Sequence, residues 1–217
     1  MLVRLLAIDT STPTVSVAVH DGSAVLAERA VTDARRHGEL VAPLVSEVLA
    51  EAGLAPTDLT ALVVGLGPGP YTGLRVGIVT AAVMAHTLAV PVYGVCSLDA
   101  IALRADVDDE PFAVLTDARR KEVYWATYSD GLRVEGPSVD KPAVVAEAVD
   151  GPVVGPGARL YADLFADVRG PVEQSAGAIA ELVLDRAASG APSDVLRPLY
   201  LRRPDATEPG VPKPVLA

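Results

Sequence analysis

Five glycines and two prolines crowd the fifteen residues from Val63 to Gly77, VVGLGPGPYTGLRVG. An apolar strand must end at Val63-Val64, and Gly67-Pro68-Gly69-Pro70 then enforces a tight turn. Thr72 is placed to cap a helix beginning near Gly73. A strand running straight into a glycine-rich helix start serves either an anion at the free helix amides or a very close packing partner. The phosphate reading lacks support, because neither GxxxxGK[ST] nor GxGxxG is present. Beyond the turn, Gly73, Gly77, Ala81 and Ala85 recur every four residues on one ridge, which predicts close approach by a second helix.

The first long helix, Gly38 to Ala52 with Gly53 as its stop, gives a parallel expectation. Leu40, Val41, Leu44, Val45, Val48, Leu49 and Ala52 spread over about half the circumference, wider than the ~100° stripe of a helix packed on one side. The helix is therefore expected to bury two sides. Pro43 either sets its first turn near Leu40 or bends it.

Strands are expected at 3–8, 14–20 and 24–31, then the helix, a strand at 60–66, the ridge helix to Leu88, and a strand at 91–95. Three strands, helix, strand, helix, strand is the ribonuclease H-like order. The second part repeats it in reduced form, with strands at 113–116 and 122–128 and helices at 141–149 and 174–188. Asp9-Thr10 and Asp117-Ala118 occupy matching places, each after an apolar strand. The expected fold is α/β, with two ribonuclease H-like lobes in the actin-like ATPase (ASKHA) architecture. The division reads 1–103, 104–203 and a disordered tail 204–217, which has four prolines in its 14 residues.

A chain of 217 residues buries a sizeable core without crosslinks. Its single cysteine, Cys96, permits no internal disulfide and reads as a core residue at a strand end. The N-terminal apolar run is too short for a signal peptide, and 77–95 is interrupted by His86 and Pro91, so a soluble cytoplasmic protein without a membrane span is expected. A net charge of −10 argues against direct contact with nucleic acid.

The three histidines, His20, His37 and His86, are scattered. With no HxxxH or CxxC spacing, no metal site or metalloprotease chemistry is expected. His37 reads as part of a solvated helix entrance. Ser11 and Ser97 lack a GxSxG setting. In actin-like ATPases, aspartates after the first strand of each lobe hold magnesium and neighbouring glycines wrap the phosphates. Here DTSTPT has no glycine, and DARRKE puts Ala118, Arg119 and Arg120 where glycines belong. Only Gly155-Pro156-Gly157 remains as a late glycine cluster. The nucleotide site therefore reads as vestigial, its remnants being Asp9, Ser11, Asp117 and Arg119.

Five segments together resemble the TsaB (YeaZ) family: IDTST at 8–12, RRHGEL at 35–40, GLGPGPYTGLRVG at 65–77, DARRKEVYWA at 117–126 and PLYLR at 198–202. Gly38 and Pro70 depart from serines common at those places. The resemblance implies a non-catalytic subunit, without cofactor, of the bacterial machinery that makes N-threonylcarbamoyladenosine beside the anticodon of tRNAs reading codons that start with A. In that machinery TsaD carries the metal, on an HxxxH helix whose counterpart here has no histidine, and transfers the threonylcarbamoyl group. TsaB dimerises with TsaD or with itself through a four-helix bundle, the ATPase TsaE joins the pair, and tRNA is reached only through the complex. The implied interface is Leu40, Leu44, Glu47, Val48, Gly73, Arg75, Val76, Gly77, Thr80, Ala81 and Met84. The competing expectation is an active ATPase or small-molecule kinase using Asp9 and Asp117.

Overall fold

In a computed structural model, residues 2–33, 35–107, 110–170 and 172–202 are described. The strand β1 (Leu5–Asp9) is buried on both faces, as its unbroken apolar sequence requires. It pairs antiparallel with β2 (Thr14–His20), which pairs antiparallel with β3 (Val25–Thr32). The helix α1 (His37–Glu51) crosses to β4 (Ala61–Gly65), parallel to β1, and α2 (Tyr71–Leu88) crosses to β5 (Val92–Val95), parallel to β4. The sheet order is β3-β2-β1-β4-β5.

After α3 (Ser97–Leu103) the pattern repeats. Strands β6 (Phe112–Asp117), β7 (Val123–Ser129) and β8 (Leu132–Asp140) form an antiparallel meander. The helix α4 (Pro142–Ala148) leads to β9 (Val153–Val154), parallel to β6, and α5 (Pro156–Leu160) precedes β10 (Val168–Arg169), parallel to β9. Read from β8, the order β8-β7-β6-β9-β10 reproduces that of the first sheet. Two short helices, α6 (Ala176–Glu181) and α7 (Leu184–Ala188), close the element order.

The two ribonuclease H-like lobes are thus present, but their cores do not follow a division at 103/104. Leu98 and Ile101 of α3 pack with Phe112, Val114 and Tyr128 of the second sheet. In return, Ala176, Ile179 and Ala180 of α6 pack beneath Leu5, Ala7 and Val63 of the first. Each sheet therefore borrows a helix from the other half of the sequence. The segment after α7 also returns to the first sheet, where the Asp194 amide donates to the Val92 carbonyl and the Leu199 amide to that of Leu66.

Several local expectations are corrected. The helix α2 starts at Tyr71 with Pro70 as its N-cap, and no side chain caps it, so Thr72 lies inside the first turn. The helix α1 starts at His37, leaving Pro43 within it, on the exposed side. Gly53, in the left-handed region at φ 66°, ends α1 while the Leu54 amide bonds the Leu49 carbonyl. The strand β8 was not foreseen, because LRVEGPSVD is largely polar and carries Pro137; an edge strand tolerates both. The expected helix 174–188 is broken at Leu182-Val183 into α6 and α7. The expected tail, 204–217, lies outside the described residues.

Candidate functional site

The glycine segment closes over the loop following β1, while Pro70, Thr72 and Gly73 at its helix start line a small cavity of about 160 Å³ with Thr12, His37 and Arg119. A Cβ on Gly65 would overlap the Asp9 carboxyl, and one on Gly69 would overlap the Ser11 carbonyl. On Gly73 it would stand 2.8 Å from the Thr10 carbonyl oxygen and on Gly77 2.5 Å from Thr10 Oγ1. The Thr10 hydroxyl donates to the Gly73 carbonyl at 2.7 Å and accepts from the Gly77 amide at 3.1 Å. Four glycines are thus spent on bringing the helix and its preceding turn against residues 9–11. The partner of the small-residue ridge is the chain itself, since Ala81 and Ala85 also lie in the first lobe's core.

Asp9 and Ser11 are consequently enclosed. Asp9 is fully buried, with Oδ1 accepting from the Ser11 amide at 2.8 Å and Oδ2 unpartnered. Burial pushes its carboxyl above the ordinary range, only partly opposed by Ser11 and Ser97. The Ser11 hydroxyl is likewise buried without a partner. The later cluster behaves in the same way, since Gly155 and Gly157 press against the end of β6 at Leu115-Thr116. Of the four residues expected at a nucleotide site, Asp9 and Ser11 are buried within the first lobe, whereas Asp117 and Arg119 lie at the β6–β7 turn, where Arg119 lines the small cavity with Thr12 and Gly73.

That turn is held in an uncommon conformation. Arg119, Arg120 and Lys121 are consecutive left-handed residues, with φ of 61°, 53° and 60°. The Asp117 carboxylate accepts the Arg119 amide at 2.8 Å. Arg202 donates to the Ala118 carbonyl at 2.6 Å, also reaches that of Arg119, and pairs with Glu122. Tyr200, from the same terminal segment, stacks on Tyr71 at the start of α2 with ring centroids 5.0 Å apart. The DARRKE and PLYLR segments are therefore joined physically. His37 also serves the interior, its Nε2 bonding the Thr12 carbonyl at 2.8 Å.

Of the eleven expected interface residues, Leu44, Val48, Gly73, Gly77 and Ala81 are buried within the first lobe. Glu47 and Arg75 are exposed, while Leu40, Val76, Thr80 and Met84 are half-buried. The helix α1 buries a single side, Val41, Leu44, Val45, Val48 and Leu49, so the second buried side expected for it is absent from the folded chain. Ala42, Pro43, Ser46 and Ala50 face outward from it. On α2, packed beside α1, Val79 is 52% and Val83 58% exposed. These two valines are one turn apart and form an apolar strip flanked by Val76, Thr80 and Thr87. Sequence reading missed them because the small-residue ridge drew attention to the opposite side of the helix.

Cys96 is a core thiol, buried among Leu98, Ile101 and Val114, and burial pushes its pKa up to about 12. Among the described residues no three His, Cys, Asp or Glu side chains converge where they could hold a metal ion, and no helix is long and apolar enough to cross a membrane.

Residues 25–161 match the family described as TsaD: tRNA N6-adenosine threonylcarbamoyltransferase. An uncharacterised protein of Mycobacterium tuberculosis is 48% identical over 93% of both chains. The tRNA threonylcarbamoyladenosine biosynthesis protein TsaB of Escherichia coli is 36% identical over 74% of both. Among solved structures, YeaZ from Pseudomonas aeruginosa superposes with a TM-score of 0.76 at 28% identity, covering 92% of this chain and all of that one.

Proposed function

The chain belongs to the TsaB (YeaZ) family, and on that premise we propose that it is a non-catalytic subunit in tRNA threonylcarbamoyladenosine biosynthesis that docks onto a TsaD paralogue through the outward faces of α1 and α2. The observation that carries this reading is the exposed Val79–Val83 strip beside the small outward residues of α1. Small residues let a partner helix come close, and valines supply apolar area. With 18 residues, α2 is about 27 Å long, enough for a two-helix face to build an interface of ordinary size. The same face pairs two copies when TsaD is absent; TsaE joins the TsaD-bound form, and tRNA is engaged through the assembly. An ATPase reading would require Asp9 to reach a magnesium–phosphate group, whereas its carboxyl lies fully buried beneath Gly65.

The test is the light-scattering mass of the chain mixed with its TsaD paralogue, for wild type and for Val79→Glu/Val83→Glu. A one-to-one complex is expected for wild type. The variant is expected to lose it while keeping its circular dichroism and Tm, because two exposed positions change and each carboxylate would be desolvated in the interface. Normal complex formation by the variant, or none by wild type, refutes the assignment.

A further inference from the structure

A cavity of about 390 Å³ lies between α3 and the β7–β8 hairpin, and none of its lining residues belongs to α1 or α2. Its rim is apolar. Leu103, Leu132 and Leu182, from three separate segments, line it while remaining 45%, 72% and 38% exposed. Leucines grouped around one opening, rather than scattered singly, mark a surface that gains from being covered. The cover is not an added strand. Although β8 is the edge of its sheet, its pairing with β7 shifts register between Thr127 and Tyr128, and Pro137 follows, two devices that block edge-to-edge pairing. The occupant therefore enters through a side chain.

Charge complementarity decides which side chain that is. Three carboxylates line the cavity, Asp99, Glu110 and Asp130, against one guanidinium, Arg133. Glu110 is matched by Arg169 at 2.6 Å. Arg133 Nε stands 3.6 Å from Asp99 Oδ1, beyond hydrogen-bond reach, and that oxygen accepts instead from the Tyr128 hydroxyl at 2.8 Å. Asp130 accepts from the Ser129 hydroxyl at 3.2 Å and is paired with no cation among the described residues. One negative charge is thus left over beside the apolar rim. Burial raises the Asp99 pKa, with Tyr128 and Arg133 opposing it, so a further cation alongside is favoured. We infer that the cavity receives an arginine side chain, flanked by apolar residues, from a segment of another protein. Its methylenes lie on the rim leucines and its guanidinium between Asp99 and Asp130. Arginine suits this place better than lysine because its planar fork serves two carboxylates at once. The site stands whether or not a partner docks through α1 and α2.

The experiment titrates the ¹⁵N-labelled full chain separately with the peptide acetyl-Gly-Leu-Arg-Leu-Gly-amide, its citrulline counterpart and spermidine, into the millimolar range, following the backbone amides of 102–105 and 130–133. The arginine peptide is expected to move those amides saturably, with an affinity that falls as salt is raised. The neutral citrulline peptide is expected to bind at least about tenfold more weakly, the size of one charge-assisted hydrogen bond. Asp130→Asn keeps the hairpin, since asparagine tolerates the left-handed φ of 53°, and Asp99→Asn keeps an acceptor for Tyr128. Each should weaken the arginine peptide about threefold to tenfold. Equal binding of the two peptides overturns the cationic anchor. Saturable binding of spermidine tighter than that of the arginine peptide overturns the protein segment in favour of a free amine. Unmoved amides at 102–105 and 130–133 with all three compounds overturn the site, and this readout on wild type does not depend on either variant folding.

Discussion

Replacing Gly77 by alanine separates two roles that a helical glycine can have. In an open helix the change stabilises by about 1 kcal/mol through propensity. Here the new Cβ would lie 2.5 Å from Thr10 Oγ1 and 3.4 Å from its Cγ2, in a fully packed region. Relieving that overlap costs about 1–3 kcal/mol of strain. If Thr10 turns aside, its bonds to the Gly73 carbonyl and Gly77 amide are lost as well, at about 1 kcal/mol each. The net expectation is a loss of about 2–4 kcal/mol. Thr10→Ala removes the obstructing atoms and leaves only Cβ, an ordinary contact at 3.5 Å. In the double variant the alanine at 77 should therefore be tolerated, giving a coupling as large as the single-variant loss, about 2–4 kcal/mol. Urea unfolding of the four proteins, followed by far-ultraviolet circular dichroism, measures each term. Gly38→Ala, with nothing within 4 Å of its Cβ, is the control and should leave stability unchanged or slightly raised. A Gly77→Ala protein as stable as wild type, or additive single effects, would refute the close-packing account.

Two further outcomes follow from the same loop and from the terminal segment. The folded-state pKa of Asp9 is raised above 3.8, so the native protein binds more protons than the unfolded chain over the interval between the two values, and stability falls as pH rises through it. Asp9→Asn should match wild type at pH 4 or below and exceed it at pH 7, as read from Tm at the two values; a gap that is constant with pH contradicts burial as the cause. Arg202→Ala removes the ties to the Ala118 and Arg119 carbonyls and to Glu122, and should cost about 1–3 kcal/mol with faster amide exchange concentrated in residues 118–122. Unchanged exchange there would mean that the turn holds its left-handed conformation without the arginine.

The first lobe was legible because its elements are long and strongly patterned: an unbroken apolar β1, a glycine-rich strand-to-helix turn, and helices with clear stops. The second lobe was only half legible. The strand β8 is polar and interrupted by a proline, and β9 and β10 are two residues each, held by pairing to their neighbours rather than by local preference. The exchange of α3 and α6 between the cores leaves no trace in composition, since both are short apolar helices whose partners are fixed by tertiary packing.

Apolar breadth on α1 and small residues on α2 both read in the sequence as signs of a partner, yet Gly73 and Gly77 are small because of the chain's own Thr10 loop, and Ala81 and Ala85 lie in the first lobe's core. A stripe of small residues reports that something comes close without reporting what. The surface proposed for a partner is instead what remains exposed once that contact is made, namely Val79, Val83 and the small outward residues of α1. The two sides of α2 are linked by this arrangement. Glycine backbone packed on the loop after β1 fixes the helix against that strand, and a helix held rigidly on one side would present its other side to the proposed partner with little ordering left to be done on binding.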